Sequence, residues 1–155
     1  MNKNLVKISI LLVFTFGCGR DSEDPVFLSK KTGSSATLLG YEADYPNASA
    51  NAELIRYEST GYVNLSVSGF KPNSRYPAHV HVLSCEEGAG DHFKRDKTIA
   101  TVEMENEIHL TFTTDASGSA NKNVSKAWSI GDDAVSLVIH ETTDNDTKIL
   151  CINFN

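Results

Sequence analysis

The chain is 155 residues long and 40% hydrophobic, with a formal charge of −6 and a pI near 5.3. That apolar content is enough for one domain with an ordinary core, and it excludes a disordered chain. The acidic balance argues against binding duplex nucleic acid, whose phosphates need a basic face, and no RNA-binding signature is present.

In chain order, residues 1–17 read first, as a lipoprotein-type signal peptide. Lys3 and Lys7 form a basic start, and Ile8 to Phe16 is an almost wholly apolar run too short to span a bilayer. The run ends at Thr15-Phe16-Gly17-Cys18, which resembles a bacterial lipobox, where a small residue precedes a cysteine that becomes diacylated and N-terminal. Cys18 is then the expected lipidation site, although Thr15 stands where leucine is usual and Phe16 is larger than the usual residue. The alternative is a plain signal peptide cut nearby. Loss of Lys3 and Lys7 takes the charge from −6 to −8. The expectation is an exported protein, periplasmic or on the cell surface, that meets the membrane through its lipid anchor alone. Residues 18–35 are polar, carry Asp21, Glu23, Asp24 and Pro25, and read as a flexible tether.

Of the three cysteines, Cys18 belongs to the export segment, which leaves Cys85 and Cys151 as an even pair in an oxidising compartment. They are expected to form a disulfide.

From residue 36 to 155 the pattern is short alternating runs broken by turn residues, the signature of an all-β sandwich or barrel of about eight strands. The expected strands are Ala36 to Tyr41, Ala52 to Glu58, Tyr62 to Ser68, Pro77 to Leu83, Thr98 to Met104, Ile108 to Thr113, Ala134 to His140 and Lys148 to Phe154. Glu58-Ser-Thr-Gly61 predicts a hairpin between the second and third. Asn121 to Trp128 reads as loop or one short turn. No run is long and periodic enough for a helix.

The chemistry is concentrated in Ala78-His79-Val80-His81 and the following Gly90-Asp91-His92-Phe93. Side chains on a strand repeat every two residues, so His79 and His81 share a face and can chelate one ion. His92 and His140 would complete a four-nitrogen site, which suits copper or zinc.

His79-x-His81, Cys85, Gly90-x-His92-Phe93, Val138-Ile139-His140-Glu141 and Cys151, in that order, resemble the copper/zinc superoxide dismutases, over about Ala36 to Phe154. The resemblance implies a Greek-key β-sandwich and copper held by His79, His81, His92 and His140. It also implies a Cys85–Cys151 disulfide tying the metal-bearing loop to the last strand. His92 would match the histidine that leaves copper on reduction and returns on oxidation with a proton. The implied activity is dismutation of superoxide to oxygen and hydrogen peroxide.

The departures point to copper-only members of that family. The interval after His92 holds only His109, with Asp96, Glu103, Glu105 and Glu107, where the family has two further zinc-binding histidines and an aspartate. Zinc is therefore expected to be absent, and His109 reads as a structural or surface histidine. Only ten residues separate His140 from Cys151, so the family's long channel-shaping loop is missing. Lys148 stands where the family has its active-site arginine, keeping the charge but not the planar fork. Asp144 matches an aspartate that orients a copper histidine. With no zinc, something else must fix the far nitrogen of His92. The acidic cluster Glu103, Glu105 and Glu107 is the obvious reservoir, with a solvated charged face as the plainer alternative. Lys94, Arg95 and Lys97 either focus an anionic substrate or decorate a solvated loop. The rival readings of the whole chain are a copper-binding or storage module without turnover, and a metal-free extracellular interaction domain of the same fold.

Overall fold

Period-two alternation of apolar residues builds the hairpin of Ser49–Tyr57 with Gly61–Ser68. The computed structural model describes residues 24–37, 43–142 and 147–155. Its strands are β1 (Phe27–Thr37), β2 (Ser49–Tyr57), β3 (Gly61–Ser68), β4 (Arg75–Tyr76), β5 (Ala78–His81), β6 (Phe112–Thr113), β7 (Ala120–Lys126), β8 (Ser136–His140) and β9 (Lys148–Asn153). On β2, Ala50, Ala52 and Leu54 are buried while Ser49 and Asn51 face out; on β3, Val63, Leu65 and Val67 are buried. The two pair antiparallel from Ser49–Ser68 to Arg56–Gly61, closed by Tyr57 N–H donating to Thr60 O at 2.9 Å. This is the hairpin expected from the Glu58–Gly61 turn.

Seven strands form one antiparallel sheet in the order β5-β8-β9-β1-β2-β3-β7, and β4 pairs with β6 in a small second sheet. The long sheet curls into a half-barrel, so the fold is all-β. Its concave side holds one core that includes Leu54, Leu65, Ile108, Leu110, Leu137, Ile139, Leu150 and Ile152. Beside it Tyr45, Phe70, Tyr76 and Phe112 pack edge-on and stacked. No helix among the described residues is long and apolar enough to cross a membrane.

Five segments depart from the expected elements, one of them Ile108 to Thr113, of which only Phe112–Thr113 is strand. Strand β1 begins at Phe27, inside the segment expected to be tether, because residues 27–34 find partners along β2 and residues 35–37 pair with β9. Asn121 to Trp128, expected as loop, is mostly β7: Lys122, Val124 and Lys126 lie half-buried along β3, and the polar composition suits a sheet edge. Pro77 lacks an N–H to give to a ladder, so the expected Pro77 to Leu83 strand shortens to β5, with the separate β4 ending just before the proline. Thr98 to Met104 forms no strand. It is a loop whose stems are clasped by Asn106, whose Oδ1 accepts from Asp96 N–H at 2.7 Å and whose Nδ2 donates to Asp96 O at 2.9 Å. Cys18 and Asp144 lie outside the described residues.

Candidate metal centre

Strand β5 is four residues long, and both of its edges are filled. One edge pairs with β8, from Ala78–Ile139 to His81–Ser136. The other is completed by two separate segments. Leu110 N–H donates to Ala78 O at 2.7 Å and Val80 N–H to Ile108 O at 3.2 Å, which sets His109 beside His79. Phe93 N–H donates to Val80 O at 2.8 Å and Val82 N–H to Asp91 O at 3.2 Å, which sets His92 beside His81. Ala78 and Val80 point into the core, so alternation sends His79 and His81 to the opposite face. All four residues are buried because the flanking segments cover that face.

His140 arrives on β8, two residues after Val138, which is opposite His79. On the same face Val138 packs with Ala89 and Cys151, and Cys151 is bonded to Cys85. The expected disulfide is thus present, and it lays the 84–91 loop over β8 and β9. Ser84 caps a single 3-10 turn at Cys85–Glu87, and Gly88 follows in the left-handed region at φ 75°. Gly90 is also left-handed, at φ 65°, and a Cβ there would meet the Leu83 side chain at 2.8 Å. These bends aim the Gly90 carbonyl at two donors: His81 Nδ1 at 3.0 Å and Lys148 Nζ at 3.0 Å. A carbonyl can only accept, so His81 carries its proton on Nδ1 and turns a bare Nε2 inward.

His79, His81, His92 and His140 form a cluster able to hold a metal ion, with one ligand atom from each lying within 4.8 Å of the others. The fit is chemical as well as spatial. His79 Nδ1 and His81 Nε2 are buried with no hydrogen-bond partner, a costly state that a bound cation relieves. Burial pushes the His79 imidazole down from 6.5 to about 2 and His81 to about 3, with the neighbouring His92 adding to both shifts. Neutral imidazole is the form that binds metal.

The same shifts fix a pH dependence for the metal-free protein. Below pH 6.5 the unfolded chain takes up protons on these two histidines that the folded protein refuses until about pH 3 or 2. Their contribution to stability is therefore full above pH 6.5 and lost as the pH falls, by up to about 1.4 kcal/mol per histidine per pH unit. Urea midpoints of the metal-free protein should fall steeply between pH 6 and 4, and a His79→Gln/His81→Gln variant should flatten that slope.

Glu107 supplies the partner for the far side of His92. It is 1% exposed, and its Oε2 accepts from His92 Nδ1 at 2.8 Å and lies 3.2 Å from His109 Nε2. With Nδ1 so engaged, His92 presents Nε2 to the cluster. Glu103, on the 98–104 loop, and Glu105, just after it, are exposed, so Glu107 alone of the three acidic residues reaches the site. The His109 ring stands edge-on to His79 at 4.7 Å and so belongs to the wall of the centre. Both residues were legible in Glu107-Ile-His109-Leu: Ile108 and Leu110 enter the core, so the residues alternating with them share the histidine face.

A cleft of about 900 Å³ opens onto His81, His92 and His140 and is bordered by Lys94, Lys97 and Lys148. Lys148 is tied down, its Nζ donating to Gly88 O at 2.7 Å as well as to Gly90 O. Lys97 is paired with Asp133 at 2.6 Å, and Arg95 lies over the Trp128 ring. Fold and site together define a class: an all-β half-barrel with a buried four-imidazole cluster able to hold a metal ion. No protein-family model and no curated protein matches the chain.

Proposed function

We propose that the protein is a copper-dependent superoxide dismutase, carried on an exported lipoprotein through Cys18. The observation that supports this reading is the four-histidine cluster in which one member, His92, is gripped on its far nitrogen by a buried carboxylate. The likeness of the motif order to the copper-only superoxide dismutases adds to it.

Bound copper would supply one-electron chemistry, taking an electron from one superoxide and returning it with protons to a second, so that two superoxides and two protons give oxygen and hydrogen peroxide. The protein does the rest. His79 and His81 offer Nδ1 and Nε2 in positions already set by β5 and by the Gly90 carbonyl. Glu107 holds the proton on His92 Nδ1, leaving Nε2 to carry the proton that goes to the reduced oxygen species. Lys148, fixed on the 84–91 loop at the cleft wall, gives the anionic substrate a positive border.

The deciding measurement is superoxide consumption by copper-loaded protein, with copper and zinc quantified on the same sample. The expected result is turnover with one copper per chain. Copper bound at that ratio with no turnover above background would favour the storage reading. Failure to retain copper at submicromolar free metal would remove both.

A further inference from the structure

We propose that Lys94 is a positioning residue for the metal centre, acting through Glu107 and the 97–104 loop on the imidazole of His92. It rests on the reading above only in treating His92 as a ligand with a proton to deliver; the geometry stands by itself.

Lys94 and Glu107 are cross-strand partners in an isolated antiparallel bridge, so their side chains rise on the same side. The Lys94 side chain is 20% exposed, and its Nζ sits 3.7 Å from Glu107 Oε1. That is the cation facing the carboxylate on the side away from the two imidazoles, and a carboxylate buried to this degree needs one. The same ammonium donates to Ile99 O at 3.0 Å, Ala100 O at 2.8 Å and Thr101 O at 3.3 Å. An ammonium has three N–H groups, and here all three go to consecutive carbonyls of a loop that has no strand of its own.

Each contact has a consequence for the site. Asn106 clasps the stems of the loop and Lys126 Nζ takes Met104 O at its far end, while Lys94 holds its middle. Ile99, Ala100 and Val102 of that loop form the cleft wall beside His92. A neutral side chain at position 94 would release three carbonyls and leave Glu107 Oε1 facing a gap. The carboxylate could then swing away from His92 Nδ1, and the histidine would lose the contact that fixes its ring and tautomer. Lys94 is thus engaged inward and is no free surface charge steering substrate.

The test uses nitrogen-15 NMR of the metal-free protein, so it needs neither copper nor superoxide. In the wild type the Lys94 ammonium protons should exchange roughly tenfold or more slowly than those of Lys97, whose side chain is 72% exposed. Lys94→Met should speed exchange of the His92 Nδ1 proton roughly tenfold or more, because the contact that shields it opens more readily. In a Glu107→Gln background the same substitution should add nothing, a non-additivity that general loosening would not produce. Lys94→Arg, which restores a charge opposite Glu107, should recover part of the His92 protection. Wild-type Lys94 protons exchanging as fast as those of Lys97 would overturn the proposal even if Lys94→Met failed to fold. So would unchanged His92 Nδ1 exchange in a folded Lys94→Met protein. An inactive copper-loaded wild type would sink the dismutase reading and leave these results as they stand.

Discussion

Copper-loaded protein carrying His92→Ala should consume superoxide roughly 10²–10⁴-fold more slowly than the wild type, the range typical of removing a positioned proton donor. Copper itself should stay bound. His79, His81 and His140 keep three imidazoles in place, since they sit on paired strands β5 and β8, whereas His92 sits on a segment added to the edge of β5. Three protein ligands suffice for a reactive metal that keeps an open position. The variant therefore separates chemistry from binding. Wild-type turnover in His92→Ala would show that the proton comes from elsewhere. Complete loss of copper would show that the other three imidazoles do not make a site. The alanine also leaves Glu107 with His109 and Lys94 as its neighbours, so the carboxylate remains partnered and the fold should tolerate the change.

Removal of the disulfide, by Cys85→Ser with Cys151→Ser, should cost about 2–5 kcal/mol of stability, read as a lower urea midpoint. The closed loop spans 66 residues, for which the chain-entropy account alone gives about 4 kcal/mol. The bond has a second effect in this fold. It presses the 84–91 loop onto β8 and β9 through Ala89, which packs on Val138, and that loop presents the Gly90 carbonyl to both His81 Nδ1 and Lys148 Nζ. Copper affinity should therefore fall together with stability, by about 10–100-fold, as expected when the partner orienting a ligating histidine is lost. Copper competition at a urea-free pH 7 measures it. A variant that is less stable but binds copper as tightly as the wild type would show that the loop keeps its shape without the bond. Asn153 Oδ1, which accepts from Cys85 N–H at 2.8 Å, is the contact that would then account for it.

Where strands carry alternating residues with strong contrast, the sequence was readable. Leu54 against Glu53 and Val63 against Asn64 locate the β2–β3 hairpin, and the spacing of His79 and His81 puts both on one face. Polar alternation was not readable as strand: Ala120–Lys126 has little apolar content because it lies at the sheet edge with only half-buried side chains. The Thr98 to Met104 stretch alternates like a strand yet is held as a loop by Asn106 and Lys94, contacts made by residues outside it. Glu107 was within reach as one of three acidic candidates. Choosing it required seeing that Ile108 and Leu110 enter the core, which settles the side on which Glu107 and His109 lie. The role of the Gly90 carbonyl carried no side-chain signal, since backbone groups are silent in a sequence.

The filled edges of β5 make the centre intolerant of misalignment. If this four-residue strand slipped by one position against β8, side chains would exchange faces along its whole length. Ala78 and Val80 would then replace imidazoles in the cluster, and His79 and His81 would be driven among Leu137, Ile139 and their neighbours. The slip would also break the hydrogen bonds that place His92 and His109, because both segments take their alignment from the same four residues. No partly aligned form keeps a usable set of ligands. Metal uptake should therefore serve as an assay of correct strand pairing: a chain that acquires copper has already closed its sheet in the right register.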